Sequence, residues 1–446
     1  MSSKNLEQLS THSIGGGWGQ EVPDSKHTEK VAIIRGTDIP RIAYGDVSSV
    51  PYRWETSSKI KSRLLQAGDI VMEVSGGSAA SGQHTGRALH ITKDILERLG
   101  GAVIPASFCR LLRLDRSQID ARYFCFEIAG MHLSGEIAEY ENQSTGIANF
   151  QFTRFLSDVT PKITAINEQK DIAETLGALD DRITLLRETN KTLEAITQAI
   201  FKSWFIDFDP VRAKMEGRVP VGLDETTAAL FPDQLVESEL GLVPKGWAPS
   251  TVGEVCTYLN RGISPKYAET DGILVLNQKC IRDFQIDFSK GRRHDSNQRK
   301  VDGRLLEVGD ILVNSTGVGT LGRVAQILGL NAPAIVDSHV TVVRASETIT
   351  WTYLGEYMKK MQPTIESMGE GSTGQTELSR SKLADLKILT PSQNVTQLFD
   401  SIVKPLKKRI FTNQESAFTL SHLRDTLLPR LVSGRLGLSK FEEGIL

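Results

Sequence analysis

The chain has 446 residues, of which 39% are hydrophobic and 24% charged, and its formal net charge is −2. That length exceeds what one hydrophobic core organises, so two or more domains are expected, and the composition is that of a folded protein, not a disordered one. The near-neutral balance excludes a strong overall field for polyanions, so a nucleic-acid partner would have to be met by local clusters of Lys and Arg.

The opening stretch "MSSKNLEQLSTHSIGGGWGQE" lacks the apolar run of a secretory signal. No segment approaches the roughly 20 apolar residues that span a bilayer. The four cysteines (Cys109, Cys125, Cys256, Cys280) form no C-x-x-C pair. A structural zinc or a disulfide framework is therefore not expected, and a cytoplasmic location is. Along the first part of the chain, Arg41, Arg53, Lys59, Lys61 and Arg63 form a basic stretch. "LLQAGDIVMEVSGG" (64–77) then reads as a Gly-Asp turn entering a short strand. The glycine-rich loop "SGGSAASGQHTGR" (75–87) ends in Arg87, "FCRLLRL" (108–114) reads as a strand, and "YFCFEIAGMHL" (123–133) as a short helix.

From Ile172 the pattern changes. Ile172, Leu176, Leu179, Ile183, Leu186, Asn190, Leu193, Thr197 and Ile200 alternate spacings of four and three, a coiled-coil seam with one polar Asn of the kind that fixes register. A helix of about 30 residues is expected, roughly 45 Å long. It ends in "IFKSWFIDFDPVRAKMEG" (200–217), where Pro210 is the expected stop. Asp207 and Asp209 have no His or Glu cluster beside them, too few ligands for a divalent ion. Helix termination with aromatic packing is the expected role of this stretch, and Trp204, Phe205 and Phe208, if exposed, would suit a partner interface.

The chain then repeats itself in order. "LLEVGDILVNSTGV" (305–318) matches 64–77, "GRVAQI" (322–327) matches "GRALHI" (86–91), "STG" recurs at 144–146 and 372–374, and "LKKRI" (406–410) matches "LDDRI" (179–183). Duplication of a unit of about 230 residues, a domain plus a helix, is the simplest account. In the second copy "VTVVRA" (340–345) reads as a strand and "YLGEYMKKMQ" (353–362) as a helix. Phe399, Val403, Leu406, Ile410, Asn413, Ala417, Leu420 and Leu427 keep most of the seam spacing. Pro405 is expected to interrupt that helix early, and Arg424 falls where an apolar residue belongs. Two such helices can bury their seams against each other antiparallel, giving a pseudo-two-fold molecule with two related heads. Two-fold DNA readers use that plan to read two half-sites at a set separation, and a duplicated scaffold with no DNA partner uses it equally well.

The residues now carry a resemblance. "GALDDRITLLRETNKTLEAITQAIFKSWFIDFDPV" (177–211) resembles the central conserved region of type I restriction-modification specificity subunits, and "DTLLPRLVSGRL" (425–436) their distal one. "GLVPKGWAPSTVGEV" (241–255) with "LNRGISPK" (259–266) is similar to the start of a target recognition domain, although the first copy has "GGGWGQE" where a Pro-Lys-Gly-Trp form is expected. The resemblance implies an α+β fold: two α/β target recognition domains separated by two long antiparallel helices. The implied boundaries are 1–160 and 241–390 for the recognition domains, 161–210 and 391–446 for the helical regions, and 211–240 for a linker. It also implies a non-catalytic subunit that binds a bipartite site on double-stranded DNA and docks two methyltransferase (modification) subunits and restriction subunits. S-adenosylmethionine and ATP are expected on those partners, with no cofactor on this chain.

Within that frame Lys266, Lys290, Arg292, Arg293, Arg299, Lys300 and Arg323 join Arg41, Arg53, Lys59, Lys61, Arg63 and Arg87 as candidate DNA contacts. A solvated charged surface is the plain alternative for each. "GVGTLG" (317–322) is formally G-x-G-x-x-G, but the β-like "RVAQILGLNAPAIV" that follows does not start a helix at a pyrophosphate. No nucleophile, zinc-protease or Walker motif occurs, nor an S-adenosylmethionine loop or an Asn/Asp-Pro-Pro-aromatic motif. That argues against a fused methyltransferase and leaves base flipping to a partner. The competing reading is a duplicated protein-binding scaffold.

Overall fold

The computed structural model describes residues 4–76, 84–144, 147–163, 165–370 and 376–437. They divide into two compact units, Met1–Glu188 with Gln414–Leu446 and Thr189–Asn413. The STG repeats fall outside the described residues except for Ser144, and the loop 75–87 is described only at its two ends.

In unit 1 an antiparallel sheet runs in the order Ser10–Gly15, Cys109–Leu114, Ile70–Glu73, Ala88–His90. A second sheet orders Tyr52–Glu55, Glu29–Ile34, Ala102–Pro105, and its last pair is parallel. Unit 2 repeats both. Its antiparallel sheet is Cys256–Arg261, Val340–Ala345, Ile311–Asn314, Val324–Gln326. Its second sheet is Tyr267–Ala268, Arg292–His294, Ile273–Leu276, Ala334–Val336, again closed by a parallel pair. The strands expected at 108–114 and 340–345 and the helices expected at 123–133 and 353–362 are present as Cys109–Leu114, Val340–Ala345, Ala121–Ser134 and Trp351–Ser367.

The repeated Gly-Asp is a shared piece of construction. Gly68 and Gly309 turn at φ 91° and 99°, backbone that a side chain resists. The aspartate after each is fully buried and serves two roles. Asp69 accepts from the Gln66 amide (2.7 Å) and from Arg113 Nε and Nη2 (both 2.7 Å). Asp310 accepts from the Glu307 amide (2.8 Å) and from Arg344 Nε (2.7 Å) and Nη2 (2.8 Å). Each carboxylate thus closes its turn and ties it to the neighbouring strand, in the fork geometry that makes Arg–carboxylate pairs strong.

The long helices are Ile166–Phe205 and Gln393–Val432, 40 residues each, so about 60 Å where about 30 residues were expected. Pro405 does not interrupt the second helix. A proline forfeits one i→i−4 bond, and buried Phe399, Val403 and Lys407 on the surrounding turns hold the helix through it. Nor is Pro210 the stop of the first. The Ile206 and Asp207 amides both turn back to the Lys202 carbonyl (3.0 and 2.9 Å), Phe208 sits at φ 56°, and Pro210 lies in the first turn of a new helix, Asp209–Met215.

The seam residues pack within each unit. In unit 1 Ile172, Leu176 and Leu427 share one cluster, with Leu179 against it, and Ile183, Leu186 and Ala417 share another, with Leu420 against it. Arg424, placed where an apolar residue was expected, bonds Asp180 (2.6 Å) inside this layer, so an ion pair replaces an apolar contact. In unit 2 Phe399 and Val403 join the core with Ile200 against them, Ile410 is buried, and Leu193 and Leu406 are half-buried. Asn413 Nδ2 donates to Asn190 Oδ1 (2.8 Å) and Asn190 Nδ2 to the Ile410 carbonyl (3.2 Å), satisfying both buried amides. Sliding the helices by a turn would strand these groups, so the Asn pair fixes register.

Glu127 in unit 1 is buried, and one of its oxygens has no hydrogen-bond partner among the described residues. The Lys162 amide donates to it (2.9 Å), yet burial pushes its carboxyl up to about 7 from 4.5. A proton held more tightly in the folded state adds stability that is complete below about pH 4.5 and lost as pH rises through 7. At about 1.4 kcal/mol per pKa unit, this loss is about 3 kcal/mol. Glu127→Gln keeps an acceptor for Lys162 and does not titrate. The variant is therefore expected to be more stable than the parent at alkaline pH and to show a flatter stability–pH curve for unit 1, measured by urea unfolding across that range.

Candidate nucleic-acid interface

Most of the candidate basic residues of unit 2 gather at one side of its second sheet, on the first two strands of its order and the segments beside them. Arg292 and Arg293 lie on the strand Arg292–His294, Lys266 precedes its partner strand Tyr267–Ala268, and Arg299 and Lys300 follow in the next loop. His294 holds them together. It is buried, its Nδ1 accepts from the Lys266 amide (2.9 Å), and in the tautomer protonated at Nε2 it donates to the Arg299 carbonyl (2.8 Å). The side chains point outward. Arg292 lies over the Tyr267 ring (3.3 Å to its centroid), a cation–π contact, Arg293 Nη1 reaches the Gly272 carbonyl (3.2 Å), and Lys266 and Lys300 are exposed. Lys290 is also exposed and pairs with Asp287 (2.9 Å).

Unit 1 offers a weaker basic edge on the equivalent strand. Arg53 on Tyr52–Glu55 pairs with Glu21 (3.2 Å) and lies over the Trp18 ring (5.0 Å). Lys59 sits 3.4 Å from buried Glu55, Arg41 pairs with Asp46 (3.1 Å), and Lys61 is exposed. Arg63 Nη1 bonds Ser62 Oγ (2.8 Å). Arg87 is anchored by two parallel bonds to buried Glu73 (2.8 and 2.6 Å). Its unit 2 counterpart Arg323 has, among the described residues, no carboxylate partner and bonds the Gly319 carbonyl of its own loop (2.7 Å), because Asn314 stands where unit 1 has Glu73. Equivalent arginines are thus a fixed ion pair in one unit and a loop cation in the other.

The aromatic stretch, expected to suit a partner interface if exposed, packs inward. Trp204 and Phe205 are buried in unit 2's own core, where Trp204 packs edge-on against Phe231 (5.1 Å) and Phe205 against Tyr353 (4.7 Å) and Phe399 (5.1 Å). Phe208 is half-buried edge-on against Trp247 (5.8 Å). The rings close the helix end onto the domain, and burying so much apolar area favours that over presenting it. The neighbouring aspartates serve the same turn: Asp207 pairs with Lys202, and Asp209 accepts from Ser203 Oγ (2.8 Å).

Three features of this surface were not singled out from the sequence: the His294 staple, Arg304 and Arg380. Arg304 had a signal, since it precedes Leu-Leu in the repeat as Arg63 does. The loop "GVGTLG" leads into the strand Val324–Gln326, so it does not open a helix as a dinucleotide-binding loop does. Among the described residues no group of three or more His, Cys, Asp or Glu is placed to hold a metal ion, and no helix is long and apolar enough to cross a membrane.

No protein-family model matches the chain. It is 26% identical over 360 residues to the type I restriction enzyme HindI specificity subunit of Haemophilus influenzae, covering 68% of this chain and 76% of that protein. It is 24% identical over 313 residues to the type I restriction enzyme MjaIX specificity subunit of Methanocaldococcus jannaschii, covering 67% and 66%. A crystal structure of a type I restriction-modification system S subunit from M. genitalium shares the fold, with a TM-score of 0.56 at 15% identity over 96% of this chain and 95% of that one.

Proposed function

We infer that this chain, which belongs to the specificity subunits of type I restriction-modification systems, is the non-catalytic DNA reader of such a complex. Each recognition domain reads one half of a bipartite, asymmetric site, and the paired helices set the spacer between the halves. The observation that carries this reading is the duplication itself. Two units share a sheet plan and a Gly-Asp device, yet differ in the basic side chains on equivalent strands. Shared construction with divergent edges is what two half-sites of different sequence demand. Modification and restriction subunits are the partners, and they carry S-adenosylmethionine and ATP. A protein-binding scaffold has no need of the arginine-rich edge at 292–300.

Exchange of the recognition domain tests this. Replacing residues 241–390 with those of a homologue, in the complex with its modification partner, should change one half of the modified DNA motif and leave the other half and the spacer intact. A change in both halves, or in neither, overturns the assignment of one half-site to each unit.

A further inference from the structure

The segment Arg261–Lys266, "RGISPK", is held at several points within unit 2. Arg304 Nη1 donates to the Arg261 carbonyl (2.7 Å), Arg299 Nη1 to the Ser264 carbonyl (2.9 Å), and the Lys266 amide to His294 Nδ1 (2.9 Å). Two of these grips are guanidinium groups, so positive charge is brought to the segment that leads into the basic edge. Beside it opens a cleft of about 360 Å³ lined by Asn260, Arg261, Gly262, Arg304 and Arg380.

The cleft has the chemistry of an anion site. Arg380 Nη1 bonds Asn260 Oδ1 (2.7 Å), and Arg261 Nη2 bonds the Leu378 carbonyl (2.8 Å) while its Nη1 pairs with Glu377. Three guanidinium groups line the cleft, and one of them, Arg261, is paired with a carboxylate. A guanidinium carries five N–H donors, so each has donors to spare, and Arg261 Nε is buried with no hydrogen-bond partner among the described residues. A side chain at Gly262 would strike the carbonyls of Val336 and Asp337, so the cleft floor there is bare backbone. Unit 1 has the counterpart of Arg304 in Arg63, whose Nε reaches the Gly16 carbonyl (3.4 Å), but Gly15 ends the strand where unit 2 has Arg261.

We propose that this cleft binds one phosphodiester group of the DNA backbone and so positions unit 2 on its half-site without reading sequence. The proposal rests on the DNA-reading role argued above and adds Arg261, Arg304 and Arg380 to it as positioning residues. Charge-assisted forks on a phosphate give affinity and register, and they are indifferent to the base beyond it.

The test uses the complex with its modification partner and two duplexes, one with the selected site and one unrelated. Arg380→Gln and Arg304→Gln should each weaken binding to both duplexes by about tenfold or more and lower the salt slope by about one. Arg304 also supports the chain at Arg261, so if Arg304→Gln unfolds unit 2, exposed Arg380 decides the matter. Duplexes with single phosphates neutralised as methylphosphonates should reveal one position, at the unit 2 half-site, where the parent loses affinity and Arg380→Gln does not. Unchanged binding by Arg380→Gln overturns the proposal, and so does a change in base preference, which would make the cleft a base reader. If the parent complex binds no DNA, the DNA-reading role fails and the cleft's role falls with it. If the parent binds and the variants match it, the cleft alone fails.

Discussion

Glu356→Ala is expected to destabilise unit 2 by about 3–5 kcal/mol. Lys407, on the second long helix, is fully buried, and its Nζ lies 2.5 Å from Glu356 Oε1 and 3.1 Å from Glu194 Oε2. Lys359 completes the group at 2.8 Å from Glu194 and 3.5 Å from Glu356. Two cations and two carboxylates balance one another, with Lys407, Glu356 and Lys359 buried and Glu194 partly exposed. Removing Glu356 leaves two buried ammonium groups sharing one carboxylate, and the desolvation cost of the second is then uncompensated. Changing Lys407→Met and Glu356→Gln together removes one charge of each sign and keeps the Lys359–Glu194 pair. The double variant should recover most of the loss. The readout is urea unfolding followed by tryptophan emission, since Trp204, Trp247 and Trp351 lie in unit 2. Additive losses in the double variant would show that the four groups do not act as one network.

The second large effect concerns DNA. Replacing Arg292, Arg293, Arg299 and Lys300 together by Gln should cut the affinity of the complex by about a hundredfold or more at moderate salt. The slope of log K against log salt should flatten by roughly 0.9 for each phosphate that the variant no longer neutralises. The half-site read by unit 1 should be unaffected, because none of the four residues belongs to that unit. An unchanged slope would mean that the edge is only a solvated surface. His294, which fixes the loop from beneath, should be left intact in this experiment, since losing it would confound charge with backbone order.

Much of this architecture could be read before the fold was in hand, and the reason is periodicity. Strict repetition of Gly-Asp and of the seam spacing reports backbone geometry, and geometry is what the two units share. The failures share a cause too. Lys407 and Arg424 are charged residues inside a helix interface, and pattern reading assigns charge to solvent. Their burial depends on partners distant in sequence, such as Glu356 and Asp180, which no local window reveals. Trp204 and Phe205 misled in the opposite sense, because an aromatic run beside a proline reads equally as a surface anchor or as a plug. Only the distant Tyr353 and Phe399 decide for the plug. Pro405 shows the same limit, since a proline marks a break only where tertiary packing does not hold the helix through it, whereas Pro210 opens a new helix after the first has already ended at Phe205. At the candidate interface, residue type was legible and disposition was not: Arg87 and Arg323 are equivalent in the repeat, and only Glu73 opposite Arg87 separates them.

The most direct test is the sequence that the complex of this chain with its modification partner enriches from a random DNA pool. Two separated half-sites of different sequence, joined by a spacer of fixed length and free composition, are the expected result. A single contiguous motif, a spacer of variable length, or binding without sequence preference would contradict it.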